Sequence, residues 1–171
     1  MAGTWIFEHI CAEGDIKAYV NDQLSQSYST ACNTACQSAS LTGSGRLDYS
    51  GSSVFPNVRF TTTMDLLLTA DCLTAALGQN ETITTTSCNA FATLRSRQSG
   101  TTATCTVEVS NCHCAMTVVQ SDSYSDSFSL SGTTIVGGTG SVTAYCVQGN
   151  TLLERQAIGD NAYVDVTMTK Q

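Results

Sequence analysis

Gly3-Thr4-Trp5-Ile6-Phe7-Glu8-His9-Ile10-Cys11 opens the chain with a period of two: Trp5, Phe7, His9 and Cys11 fall on one face, Ile6, Glu8 and Ile10 on the other. That is the period of a strand, not of a helix. Near the far end, Ala144-Tyr145-Cys146-Val147-Gln148-Gly149-Asn150-Thr151-Leu152-Leu153 reads as two apolar runs joined at a Gly-Asn turn, a hairpin. Between these marks, Val58, Phe60, Thr62, Met64, Leu66 and Leu68 alternate with Arg59, Thr61, Thr63, Asp65 and Leu67 behind the only proline, Pro56, which predicts a long strand. Further strands are predicted over 90–97, 102–109, 113–120, 124–130, 141–147, 151–158 and 163–169, separated by Ser110-Asn111, Ser131-Gly132, Gly137-Gly138-Thr139-Gly140, Gln148-Gly149-Asn150 and Gly159-Asp160-Asn161.

Such a meander predicts an all-β fold, an antiparallel up-and-down barrel of about eight to ten strands that removes its exposed edges by pairing the first strand with the last. A β-sandwich is the architectural rival. One short N-terminal helix is expected, capped by Asp15, with Ile16, Tyr19, Val20 and Leu24 at helical spacing. Asp71 to Leu77 reads as a single helical turn stopped by Gly78. At 171 residues and 18.0 kDa, residues 1–171 are expected to form one domain with a core of its own.

Charged residues are only 12% of the chain and the formal net charge is -7, with two lysines and five arginines. Nucleic-acid binding needs clustered cations, so nucleic acid is not an expected partner. Nine cysteines without a Cys-x₂-Cys pair point to an oxidising compartment rather than to a zinc module. An extracytoplasmic location is therefore expected, whether secreted, periplasmic or lipid-anchored at a cell surface. Met1 is read as standing where a signal or lipoprotein leader has been removed; a lipoprotein leader would add a membrane tether. No stretch reaches the roughly 18 apolar residues of a membrane span. Asn80-Glu81-Thr82 matches the N-glycosylation triplet, one that arises often by chance.

The Gly3-Thr4-Trp5 start, the nearby helix, the meander and the hairpin around Gln148-Gly149-Asn150 together resemble the calycins, the lipocalins and fatty-acid-binding proteins, with the hairpin similar to that of lipocalin-like lipoproteins. The resemblance implies a barrel closed at its floor by Trp5, with a basic side chain from a late strand packed across the indole, here Arg155. It also implies an interior for a small molecule. Nine cysteines exceed the usual lipocalin pattern, and no second lipocalin signature follows in the middle turns.

The expected cavity wall is Trp5, Phe7, Phe60, Met64 and Leu66, with Arg95, Arg97 and Arg155 as its cations. Arg95 and Arg97 share a strand face in this reading: inward, they would receive an anionic head; outward, they would offset an acidic surface. All nine cysteines, Cys11, Cys32, Cys36, Cys72, Cys88, Cys105, Cys112, Cys114 and Cys146, are disulfide candidates, with at least three bonds and an unpaired thiol expected. Cys11 with Cys32 or Cys36 would fasten the helix to strand one, and Cys72 with Cys88 would close the loop around the short helical turn. A turn at Ser110-Asn111 would pair Glu108 with His113 and place Cys112 and Cys114 on the opposite face, against a shared metal ion. His9 reads as a partly buried, hydrogen-bonded histidine beside Trp5. No metal or cofactor is expected, and no catalytic motif such as Gly-x-Ser-x-Gly or His-Glu-x-x-His occurs. The expected function is therefore an extracytoplasmic, monomeric binding protein for a small, largely apolar molecule, without enzymatic activity. A cell-surface interaction module with a filled barrel is the alternative, and an enzyme with a reactive cysteine a weaker one.

Overall fold

The computed structural model of the chain describes residues 1–159 and 162–171, and every side chain among them except those of Cys11 and Glu13. Two of the turn residues expected near the end, Asp160 and Asn161, lie outside the described residues, as does the side chain of the bridging candidate Cys11. Strand dominates, in ten segments: β1 (Gly3–Gly14), β2 (Cys36–Ser50), β3 (Ser53–Leu68), β4 (Thr101–Glu108), β5 (Asn111–Asp122), β6 (Asp126–Ser131), β7 (Thr134–Gly137), β8 (Val142–Gln148), β9 (Thr151–Gly159) and β10 (Ala162–Lys170). The helices are α1 (Ile16–Ser27), α2 (Ala70–Leu77) and α3 (Thr85–Ser96), with a 3₁₀ turn at Thr30–Cys32. Among the described residues three helices stand where one helix and one helical turn were expected. The chain divides into two compact units: unit 1 holds Met1–Gly14, Leu41–Thr61 and Gln120–Gln171, and unit 2 holds Asp15–Ser40 and Thr62–Val119.

In unit 1 the strand pairings follow the order β2-β1-β10-β9-β8-β7-β6-β3, and β3 pairs again with β2, so the hydrogen bonds run in a ring of eight strands. The first strand does pair with the last: Trp5 faces Lys170, Ile6 faces Thr169 and Phe7 faces Met168. At its narrowest, β3 meets β6 only through Ser53–Ser127 and Val54–Asp126. Trp5, Tyr49, Leu152 and Met168 are buried together, with Phe7, Leu47, Val54, Phe128, Tyr145 and Val166 packed around them. A bulge between Phe7 and His9 shifts the register of β1, and an extra residue re-aims everything after it. The unbroken alternation read from Trp5 to Cys11 is thereby corrected, and His9 is exposed rather than packed beside Trp5.

Unit 2 is an antiparallel sheet in the order β2-β3-β5-β4 with helices in its core. Asp15 caps α1 by accepting from the Ala18 amide at 2.8 Å, and Val20 and Leu24 are buried in the core as their spacing requires. In α2, Thr69 caps the Cys72 amide, and Gly78 at φ 76° ends the helix in the left-handed region that glycine alone enters without cost. Residues 90–97, read as a strand, are the second half of α3. Thr84 and Ser87 form a reciprocal capping box, and Cys88, Phe91 and Ala92 then recur at helical spacing into the core. Three disulfides close within this unit: Cys32–Cys72, Cys88–Cys112 and Cys105–Cys114. The expected Cys72–Cys88 and Cys11–Cys32 pairs are excluded because their members have other partners, and Cys36 is a free thiol.

The β4–β5 hairpin turns one step earlier than expected, at Val109-Ser110, with Val109 at φ 54°. Glu108 therefore faces Asn111, Thr106 faces His113, and Cys105 faces its disulfide partner Cys114. A shift of two residues on one strand preserves the faces, so Cys112 and Cys114 are buried while His113 stays half-exposed, as the alternation required.

Candidate functional site

The inner face of the unit 1 ring is identified by the buried cluster around Trp5. Phe7 belongs to that cluster and its ring lies 6.2 Å from Phe60. A Cβ on Gly43 would meet Ile10 and Phe60 together, so β2 carries glycine where neighbouring strands send large side chains across it. Phe7, Ile10, Phe60 and Gly43 thus share one face with Trp5. At the Trp5 end that face is sealed: Trp5 is 1% exposed, and Leu152 and Met168 are 0%. Phe7, Ile10 and Phe60 are only half-buried.

One polar pair crosses this face. The Tyr49 hydroxyl donates to Glu154 Oε1 at 2.7 Å. Glu154 lies in a row of register partners, Tyr145 on β8, Val166 on β10 and then Ile10 on β1, which places it beside the accessible stretch. Burial pushes the Glu154 carboxyl above the usual carboxylate range, with the Tyr49 hydrogen bond pulling weakly the other way. Burial, reinforced by the Glu154 charge, pushes the Tyr49 hydroxyl up as well. A carboxyl whose folded pKa is raised contributes stability that is full below its unfolded pKa and is lost as pH rises through the folded value. Glu154→Gln, which keeps an acceptor for Tyr49 and removes the charge, is expected to raise stability at neutral pH by about 1–3 kcal/mol. It should leave acid stability nearly unchanged, as thermal melts between about pH 4 and pH 8 will measure.

The residues expected to line one cavity are dispersed. Trp5, Phe7 and Phe60 lie on the inner face of unit 1, whereas Leu66 is buried and Met64 partly buried in the unit 2 core. Arg95 is on α3 and Arg97 is its C-cap, not on a strand. Arg95 donates from Nη1 to the Tyr28 hydroxyl at 2.9 Å, and Arg97 is exposed at the helix C-cap. Both belong to unit 2. Arg155 points from the other face of β9, ion-paired with Asp165 and 5.5 Å above the Tyr163 ring. Its hydrogen bond holds the Asp165 carboxyl below the usual range. The cation over Trp5 is Lys170, its Nζ 5.7 Å from the ring, because Lys170 is the register partner of Trp5. Tyr49 and Glu154 went unread; the available signal was an acidic residue in phase with Leu152 on the inner side of β9.

An open groove of about 570 Å³ along β8, β9 and β10 takes in Ala144, Cys146, Leu153, Arg155, Asp165 and Thr167, and Tyr145, Glu154 and Val166 also line it. Cys146 is an exposed free thiol there. The other free thiol, Cys36, is buried, and burial raises its pKa, which disfavours the nucleophilic thiolate. His113 lies 3.5 Å from Glu108 and 3.9 Å from Asp65. Among the described residues no group of three or more His, Cys, Asp or Glu is placed to hold a metal ion, and no helix is long and apolar enough to cross a membrane. No family model, curated protein or solved structure matches the chain. Three disulfides fit folding in an oxidising environment.

Proposed function

We propose that the chain is an extracytoplasmic binding protein, monomeric and without enzymatic activity, whose ring of strands closes as a calycin-like barrel around one small, largely apolar molecule. The observation that carries this reading is the half-buried state of Phe7, Ile10 and Phe60 on the inner face, next to the sealed Trp5 end. Each methylene a ligand buries there is worth up to about 0.8 kcal/mol. A ligand of a few such groups reaches micromolar affinity without an anion anchor. The three disulfides support the extracytoplasmic location. The competing reading, a cell-surface interaction module with a filled barrel, draws on the packing of Trp5, Tyr49, Leu152 and Met168.

Titration with diphenylhexatriene, a neutral apolar fluorophore, separates the two. Saturable binding at micromolar concentration is expected, weakened about ten-fold by Phe60→Ala, which removes apolar contact from the wall. No binding at high micromolar probe would sink the binding reading and leave the interaction module.

A further inference from the structure

We infer that the molecule held on the inner face of unit 1 carries an ammonium head that pairs with Glu154, which makes its class a small apolar amine; this rests on the binding reading above. Glu154 is a carboxyl on an otherwise apolar face, and its Oε1 is taken by the Tyr49 hydroxyl. Among the described residues the Tyr49 hydroxyl is the one hydrogen-bond partner of the carboxyl, and Glu154 is only half-buried, so Oε2 can receive a donor. Among the described residues no lysine or arginine of the same unit pairs with it. Arg46 pairs with Asp48 at 3.3 Å, and Arg59 is exposed on the face opposite Val58 and Phe60. Arg155 pairs with Asp165 on the other side of β9, and Lys170 lies over Trp5.

A carboxylate on an apolar face is costly unless a positive charge is brought to it. The rings around it are suited to that charge. Tyr145 is its register partner on β8, Tyr49 touches it, and Phe128 meets Tyr49 edge-on at 5.1 Å between ring centres. Aromatic faces attract ammonium groups, and a net charge of -7 raises the local concentration of cations. An ammonium at Glu154 would send its apolar tail along the Val166–Ile10 row toward Phe60. A fatty acid, by contrast, would bring its carboxylate against that of Glu154.

The experiment is competition of decylamine, decanol and decanoate against bound diphenylhexatriene, on wild type and on Glu154→Gln. Wild type is expected to prefer decylamine over decanol by about ten-fold and to disfavour decanoate. Glu154→Gln is expected to lose the amine preference and keep its affinity for decanol, which also reports that the variant is folded. Decanol binding with no amine preference overturns this inference and leaves the binding reading standing. An amine preference that survives Glu154→Gln also overturns it, placing the amine elsewhere on the acidic surface. If diphenylhexatriene binds and none of the three displaces it, this inference is overturned and the binding reading stands; if diphenylhexatriene itself does not bind, the binding reading has failed.

Discussion

Replacing Cys88 and Cys112 together by alanine is expected to lower stability by about 2–4 kcal/mol. The bond joins α3 to β5 across 24 residues of sequence, and both cysteines are 0% exposed in the unit 2 core. Removing it returns conformational freedom to the unfolded chain and also leaves space beside Phe91 and Leu73, which belong to the same cluster. The Cys105–Cys114 bond provides the internal comparison. It spans nine residues and joins partners already held opposite one another by the β4–β5 ladder, so its removal should cost less. Urea denaturation followed by helical circular dichroism measures both variants. Equal midpoints for the two would show that loop closure and the α3 anchorage are not what the buried bond contributes.

The same helix marks the limit of what the sequence carried. Residues 90–97 were read as a strand because a short window holding Phe91 and Leu94 has no decisive period; the helix becomes legible only from Thr84, where Ser87 completes the capping box. β2 escaped notice for a different reason. Its inner-face positions include Gly43 and Gly45, small because Ile10 and Phe60 in one case and the Asn57 backbone in the other fill the space a side chain would need. A strand whose inward residues are glycine shows no apolar alternation to read. β1, β10 and the β8–β9 hairpin were legible because their inward residues Trp5, Met168 and Leu152 are large and regularly spaced. The disulfide partners could not be read at all, since Cys88 and Cys112 meet only once α3 has been recognised as a helix. At the site, the wall residues Phe7 and Phe60 were found by period, whereas the Tyr49–Glu154 pair depends on strands that are distant in sequence, residues 49 and 154, and on no local pattern.

Trp5→Ala is expected to destabilise unit 1 by about 3–5 kcal/mol, the cost of emptying a large, sealed aromatic site. The indole is 1% exposed, packs with Tyr49, Leu152 and Met168, and donates from Nε1 to the Met1 carbonyl at 3.1 Å. Lys170 covers its face from the register position opposite, so the loss includes a cation–π contact of about 0.5–1 kcal/mol at such a partly exposed site. Lys170→Met, which keeps an apolar stem over the ring and removes the charge, should recover most of the wild-type stability and isolate that smaller contribution. Trp5→Phe should fall between, since it keeps the aromatic packing and loses the Nε1 donor. Because Trp5 is the only tryptophan, wild-type emission reports the sealed end of unit 1 and should shift to the red as that end opens in denaturant. For Trp5→Ala the same transition is read through tyrosine emission. A loss below about 1 kcal/mol would mean that the neighbours collapse into the vacated space, and that Trp5 does not hold the end of the ring closed.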